Sequence, residues 1–195
     1  MTVNMASYLG KGLSPQQFID SMTRNREAFT DWYRRFDWPS DDSKEFFHNL
    51  AERSTDLHCV VIAADWCGDV VRNVPVVFRL METASIPAEV LILEEHLDLV
   101  DKHFLTMGGR SIPIVLFVQG DGEIVGRWGP RPSYVQEVMV EFKQNYPDKS
   151  APDYEDNLKR ARAELIRRYG EGTEYQPLVV SEIQTLLEGL LTPSK

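Results

Sequence analysis

The sequence predicts an α/β fold, a central mixed β-sheet flanked by helices, with extra N- and C-terminal helices. Three observations carry this. From residue 57 on, extended apolar segments alternate with amphipathic ones in the order strand, helix, strand, helix, strand, strand, helix. The first of them, LHCVVIAA, is nearly continuous apolar and β-branched, as a central strand buried on both faces would be. The segments before and after this core carry helical periodicity and capping signals.

The elements follow in order. Residues 14–36 open with Ser14-Pro15-Gln16-Gln17: an N-cap, a proline at the first helical position and a capping-box glutamine. Phe18, Met22, Phe29, Tyr33 and Phe36 then share a helical stripe, which predicts one helix ended by Trp38-Pro39. Ser40 caps a second helix running to about Arg53. Residues 57–64 form the central strand, read as parallel to its neighbours. After WCGD, the spacing of Val70, Val74, Val77, Phe78 and Met81 predicts a helix to residue 84. EVLILE (89–94) is a second strand, and 95–106 a short helix stopped by Gly108-Gly109. IPIVLFV (112–118) and 123–128, joined by the turn QGDG, predict an antiparallel hairpin. Val135, Val138, Met139, Phe142 and Tyr146 mark the next helix. Two more cover 153–169 and 181–191, the last opened by the capping box Ser181-Glu182-Ile183-Gln184. The chain thus divides into an N-terminal helical extension (1–53), an α/β domain (54–146) and a C-terminal helical extension (147–195), forming one compact unit.

Composition narrows the function classes. The 195 residues are 43% hydrophobic, enough for one core. Net charge is −9 and no basic patch stands out, which argues against nucleic acid as a partner. No apolar run reaches the roughly 18 residues of a membrane helix. The N-terminal MTVNMASYLGKG lacks the apolar core of a secretory signal, so the expected location is the cytoplasm, with no membrane partner. The only two cysteines, Cys59 and Cys67, lie eight positions apart across a strand and should stay unpaired. Cys59 reads as an inert core residue. His48, His58, His96 and His103 form no ligand spacing, so no metal and no cofactor is expected. Gly120 and Gly122 fit a hairpin turn better than a phosphate loop.

The chemistry concentrates in ADWCGDVVRNVP, residues 64–75. A strand leads through Trp66-Cys67-Gly68 into a helix, with Pro75 eight residues after Cys67. Further on stand GGRSIPIVLF and EIVGRWGPRP. Together, in this order and spacing, these three motifs resemble the thioredoxin fold over residues 54–146. They are similar to a bacterial thioredoxin-like group with WCGD in place of the usual WCGPC. The resemblance implies that Pro75 kinks its helix, that Pro113 is the family's cis-proline, and that Gly129 follows the last strand. It also marks departures. Val70 stands where the resolving cysteine would be, Asp69 replaces the motif's proline, and Val61 stands where many thioredoxins bury an aspartate. An intramolecular dithiol–disulfide cycle therefore cannot run.

A cysteine at a helix N-terminus is stabilised as thiolate by unpaired N–H groups and the helix dipole. Carboxylates at Asp65 and Asp69 act the other way. The expectation is a reactive thiol that is not strongly acidified. Two readings stand open. In one, the protein is a thiol–disulfide oxidoreductase working through a single cysteine, exchanging with a protein or a low-molecular-weight thiol or disulfide. Cys67 is then the nucleophile, Asp69 tunes it, and Trp66, Gly68, Ile112, Pro113 and Gly129 form the docking surface. In the other, the module is redox-inactive and binds an extended peptide or partner beside Pro113 by strand addition. Trp66 is expected to pack beside the thiol. Arg110, Arg127 and Arg131 are read as separate solvated arginines rather than a cluster. The aromatic group Trp32, Tyr33, Phe36 and Trp38, and the tail leucines Leu186, Leu187, Leu190 and Leu191, are expected to pack on the same domain. Oligomeric state is not legible.

Overall fold

The computed structural model describes residues 3–53 and 56–191, except for the side chains of Ala51, Arg53 and Leu191. The boundary at Ser54 and the packing of Leu191 therefore lie outside the described residues. Strand β1 (Leu57–Ala63) occupies the middle of a mixed sheet whose order is β2-β1-β3-β4. It pairs in parallel with β2 (Ala88–Ile92), with Val61 opposite Val90. It pairs antiparallel with β3 (Ile114–Gln119), with Val61 opposite Val115. The parallel pairing read from its apolar run is thus found on one side only. Burial on both faces, which Cys59 through Ala63 do show, produces the same run in either orientation. β3 forms the expected hairpin with β4 (Ile124–Trp128), with an irregularity between Phe117 and Val118.

The N-terminal extension departs from the single helix expected over 14–36. It forms α1 (Pro15–Ser21), opened by the Ser14/Gln17 capping box, and α2 (Arg26–Arg34). The break has a physical cause. The Asp65 carboxylate accepts from the N–H and hydroxyl of Thr23 (2.8 and 3.1 Å) and from the N–H of Arg24 (2.9 Å). Asn25 turns left-handed at φ 58° and donates its side-chain amide to the Asp65 carbonyl. A carboxylate from beyond β1 thus collects N–H groups of the helix break. Ser40 caps α3 (Asp41–His48), and a separate turn, α4 (Leu50–Arg53), follows.

After β1, α5 (Gly68–Thr83) carries Pro75 in its interior and buries Val70, Val74, Val77, Phe78 and Met81, as expected. It also buries Val71, Val76 and Leu80, so it is covered on more than one face, while Asp69, Arg72, Arg79 and Glu82 mark its polar side. α2, α3 and α9 (Gln176–Leu191) pack against it. The stretch after β2 is a 3₁₀ turn (Leu93–Glu95) followed by α6 (Leu97–His103). α7 (Ser133–Asn145) packs on α8 (Tyr154–Tyr169). α9 begins five residues earlier than the Ser181 capping box implies. Pro177 is tolerated in its first turn, and Val179, Val180 and Ile183 are completely buried, so packing overrides the local start signal.

Both extensions close onto the sheet and α5. Leu13 bridges to Val90 through two backbone hydrogen bonds of 2.9 and 2.8 Å, covering the free edge of β2. The Glu89 carboxylate holds that strap by accepting from the N–H groups of Gly10 (3.0 Å) and Gly12 (2.7 Å). The aromatic group packs on the same unit, as expected: Phe29 on Phe18 and Phe78, Trp32 on Tyr175, and Trp38 between Phe36 and Phe47. The Arg72 guanidinium lies over the rings of Trp32, Tyr169 and Tyr175. One α5 side chain is thereby shared by both extensions.

Candidate functional site

Cys67 is the N-cap of α5, in extended conformation directly after the β1 strand end. Its thiol is half-buried and donates to the carbonyl of Ile112 at 3.5 Å. Ile112 precedes Pro113 through a cis peptide bond, and both residues are buried. Gly129, at φ 108°, packs so closely that a Cβ there would stand 2.3 Å from the Pro113 carbonyl oxygen. Three segments far apart in sequence thus meet: the start of α5, the entry to β3 and the exit from β4.

The other candidates are placed differently. Trp66 is 48% exposed, and its indole N–H donates to Glu94 at 2.6 Å. A cleft of about 330 Å³ opens nearby, lined by Leu13, Phe18, Met22, Ala64, Ile92 and Glu94 among others. Gly68 is exposed, with open space where a side chain would go. Asp69 is drawn inward. It forms an ion pair with Arg131 (2.7 Å) and accepts from the Tyr169 hydroxyl (2.7 Å). Val61 and Val70 are completely buried.

Arg127 and Arg131 line one cleft together, Arg110 is not among its lining residues, and Arg131 is no solvated surface residue. Its side chain is 14% exposed and that of Asp69 is 16% exposed. Arg110 instead pairs with Asp101, and Arg127 donates to the Phe104 carbonyl and the Thr106 hydroxyl. That last contact steadies the loop before Ile112, where Thr106 and Gly109 bridge across a turn with Met107 at φ 51° and Gly108 at φ 75°. Lys143 holds the same turn by donating to the Met107 carbonyl. Leu105 and Met107 remain exposed on it.

The electrostatics of Cys67 are set by opposing groups. Burial, then the Asp69 carboxylate, push the thiol up; the N–H groups of Val70 and Asp69 and the Arg131 cation pull it down. The balance is upward. The helix terminus acts as the sequence suggests, but the desolvation that outweighs it depends on the folded surroundings of the sulfur. Cys59 is fully buried, and desolvation, then Glu89, push its thiol up to about 12. Both cysteines are free thiols. Among the described residues, no group of His, Cys, Asp or Glu side chains has the arrangement of a metal site. No helix there is long and apolar enough to cross a membrane.

Tyr169 and Asn73 carry no expectation for this site from the sequence, and Arg131 reads there as a solvated surface residue. Asn73 is completely buried on α5 and donates to the Tyr169 hydroxyl (2.8 Å) and the Pro130 carbonyl (3.2 Å). A polar residue among the buried apolar positions of α5 was the one available signal. Tyr169 is a hundred positions from Asp69 and carried none.

The family model described as thioredoxin matches residues 12–149. The chain belongs to the thioredoxin family. The match starts inside the N-terminal extension, well before the residues on which the motifs rest. No curated protein matches. Among solved structures, the fold is similar to a protein of unknown function from Pseudomonas aeruginosa, PA1234, with TM-score 0.67 and 15% identity. That likeness covers 97% of this chain and 99% of the other. An HIV epitope-scaffold is similar as well, with TM-score 0.66, 16% identity, and coverage of 96% and 99%. At such identities the likeness is one of fold, and it extends over both terminal extensions of this thioredoxin-family chain.

Proposed function

We propose that this thioredoxin-family protein exchanges disulfides through the single thiol of Cys67. The observation that supports it is the placing of that thiol, at the N-terminus of α5 and against the Ile112 carbonyl. An extended chain aligned beside Ile112 would bring its own sulfur to Cys67. In the step, Cys67 loses its proton to solvent. The thiolate attacks one sulfur of a disulfide, the S–S bond breaks, and the second sulfur leaves as thiolate. The product is a mixed disulfide on Cys67. With Val70 at the resolving position, a second, external thiol must attack it to restore Cys67. Because the thiol is pushed up, the thiolate fraction at neutral pH is small, and exchange should quicken as pH rises.

Intact-mass measurement after incubation with glutathione disulfide tests this. The expected result is one adduct, formed faster at pH 9 than at pH 7, absent in Cys67→Ser and removed by a dithiol reductant. Absence of the adduct at both pH values overturns the reading. One observation favours a second reading, a redox-inactive docking module: burial, then the Asp69 charge, raise the thiol beside an otherwise intact Ile112–Pro113 segment. In that case a peptide that binds the wild type binds Cys67→Ser equally well.

A further inference from the structure

We propose that Arg131 and Tyr169 are positioning residues for Cys67, acting through Asp69, so that the C-terminal extension takes part in setting the reactivity of this thiol. The inference deepens the Cys67 reading above and concerns the same site. Its geometric basis is a polar bridge beneath the α5 N-terminus. Asp69 is met on one oxygen by Arg131 and on the other by Tyr169, both at 2.7 Å. Arg131 donates onward to Gln136 (2.7 Å), and Asn73 joins Tyr169 to the Pro130 carbonyl. The bridge therefore ties three elements: the helix start that carries Cys67, the segment after Gly129 that touches Pro113, and the last residue of α8.

The arrangement is costly as a pure fastening. The Arg131 Nε and the Asn73 Oδ1 are buried with no hydrogen-bond partner. An apolar contact at this depth would hold the loop without stranded polar atoms. What an apolar contact could not do is hold a carboxylate and a guanidinium within electrostatic reach of the thiol. The charged groups around Cys67 are Asp69 on α5, Arg131 after β4, and Asp65 and Glu94 on either side of Trp66. Asp65 is turned to Thr23 and Arg24, and Glu94 holds the Trp66 indole. Asp69 and Arg131 remain as an opposed pair, the carboxylate disfavouring the thiolate and the guanidinium favouring it. Tyr169 adds a donor that draws charge from the carboxylate.

The test is the pH profile of Cys67 alkylation by iodoacetamide, read at that residue by peptide mass, in five variants. Arg131→Gln leaves the carboxylate unopposed and raises the midpoint by about half a pH unit, a roughly threefold loss of rate at pH 7. Asp69→Asn lowers the midpoint below wild type, because Arg131 then acts alone. The double variant falls between Asp69→Asn and wild type. Tyr169→Phe keeps the ring on Tyr175 and beneath Arg72, and moves the midpoint upward by less than Arg131→Gln. Arg131→Lys restores the charge and brings the midpoint back to wild type. Equal midpoints in wild type, Arg131→Gln and Tyr169→Phe overturn the proposal. So does an equal shift in Arg131→Lys and Arg131→Gln, which would mark a role in shape alone. Alkylation needs no disulfide substrate, so this order of midpoints stands or falls independently of the exchange assay with glutathione disulfide.

Discussion

Gly129→Ala isolates the contact that seats the Pro113 loop. At φ 108° a residue with a Cβ is strained, and that Cβ would stand 2.3 Å from the Pro113 carbonyl oxygen and 3.3 Å from its carbon. The dihedral term alone costs about 1–2 kcal/mol. The neighbour is backbone, held between β3 and β4, so it cannot swing away as a flexible side chain would. Forcing a methyl into such a place costs about 1–3 kcal/mol more. The sum is about 2–5 kcal/mol, a large share of an ordinary domain's stability of about 5–15 kcal/mol. With an m-value of about 2–3 kcal/mol/M in urea, the unfolding midpoint should fall by about 0.7–2.5 M. Gly108→Ala supplies the control. Its φ of 75° is also positive though nearer the left-handed helical region, and nothing lies within 4 Å of where its Cβ would go. Its loss should stay near the dihedral cost of about 1–2 kcal/mol. Urea unfolding of the two variants, followed by tryptophan fluorescence, gives the comparison. If Gly129→Ala loses no more than Gly108→Ala, close approach to Pro113 does not explain the glycine.

Three further expectations follow from the same coordinates. Alkylation of Cys67 should titrate above the free-cysteine value of about 8.5, while Cys59 reacts only after unfolding; a Cys67 midpoint at or below free cysteine contradicts the burial argument. Burial of Asp65 opposes its charge, but hydrogen bonds from Arg24 and Thr23 outweigh it and hold the carboxyl below its usual value. The stability it contributes is therefore complete above about pH 4 and lost as pH falls through the lower folded value. Asp65→Asn should accordingly lower stability at pH 7 and flatten the acid limb, and a limb parallel to wild type would refute the assignment. Glu89→Gln weakens two charge-assisted hydrogen bonds to the N-terminal strap, at a cost of about 1–2 kcal/mol, and should speed amide exchange at Gly12 and Leu13 while leaving β3 unchanged.

The sheet was legible because its strands are governed by local pattern. The β1 run has nowhere to go but a doubly covered centre, and the QGDG turn fixes the β3–β4 pairing. The α/β core followed from that, whereas the thioredoxin resemblance rested on the WCG, GGRSIPIVLF and EIVGRWGPRP motifs, and only that resemblance implied the meeting of Cys67, Ile112, Pro113 and Gly129. The errors arose where a distant group overrides a local signal. Nothing in residues 22–25 announces that Asp65 will draw on their N–H groups, so one helix was expected where two form. The Ser181 capping box is a sound local start, yet the buried side chains of Val179 and Val180 carry the helix through it. Arg131 looks like a surface arginine because its ion-pair partner Asp69 stands far off in the sequence, at the start of α5.

Val70 shows how the site and the core share one helix. A side chain there is completely buried, and α5 is covered by α2, α3 and α9 as well as by the sheet. A helix buried this widely needs more than the sheet to cover it. The two extensions supply its second wall, and Arg72, lying over Trp32 from one and over Tyr169 and Tyr175 from the other, marks where they meet. Tyr175 closes the seam by donating to the Arg72 carbonyl at 2.6 Å. The extensions are thus bound to the helix that presents Cys67. The Tyr169 ring that packs beneath Arg72 carries the hydroxyl that reaches Asp69. Packing of the C-terminal extension and the charge beside the thiol are consequently not separable: any change that lifts α8 from α5 also removes a donor from Asp69.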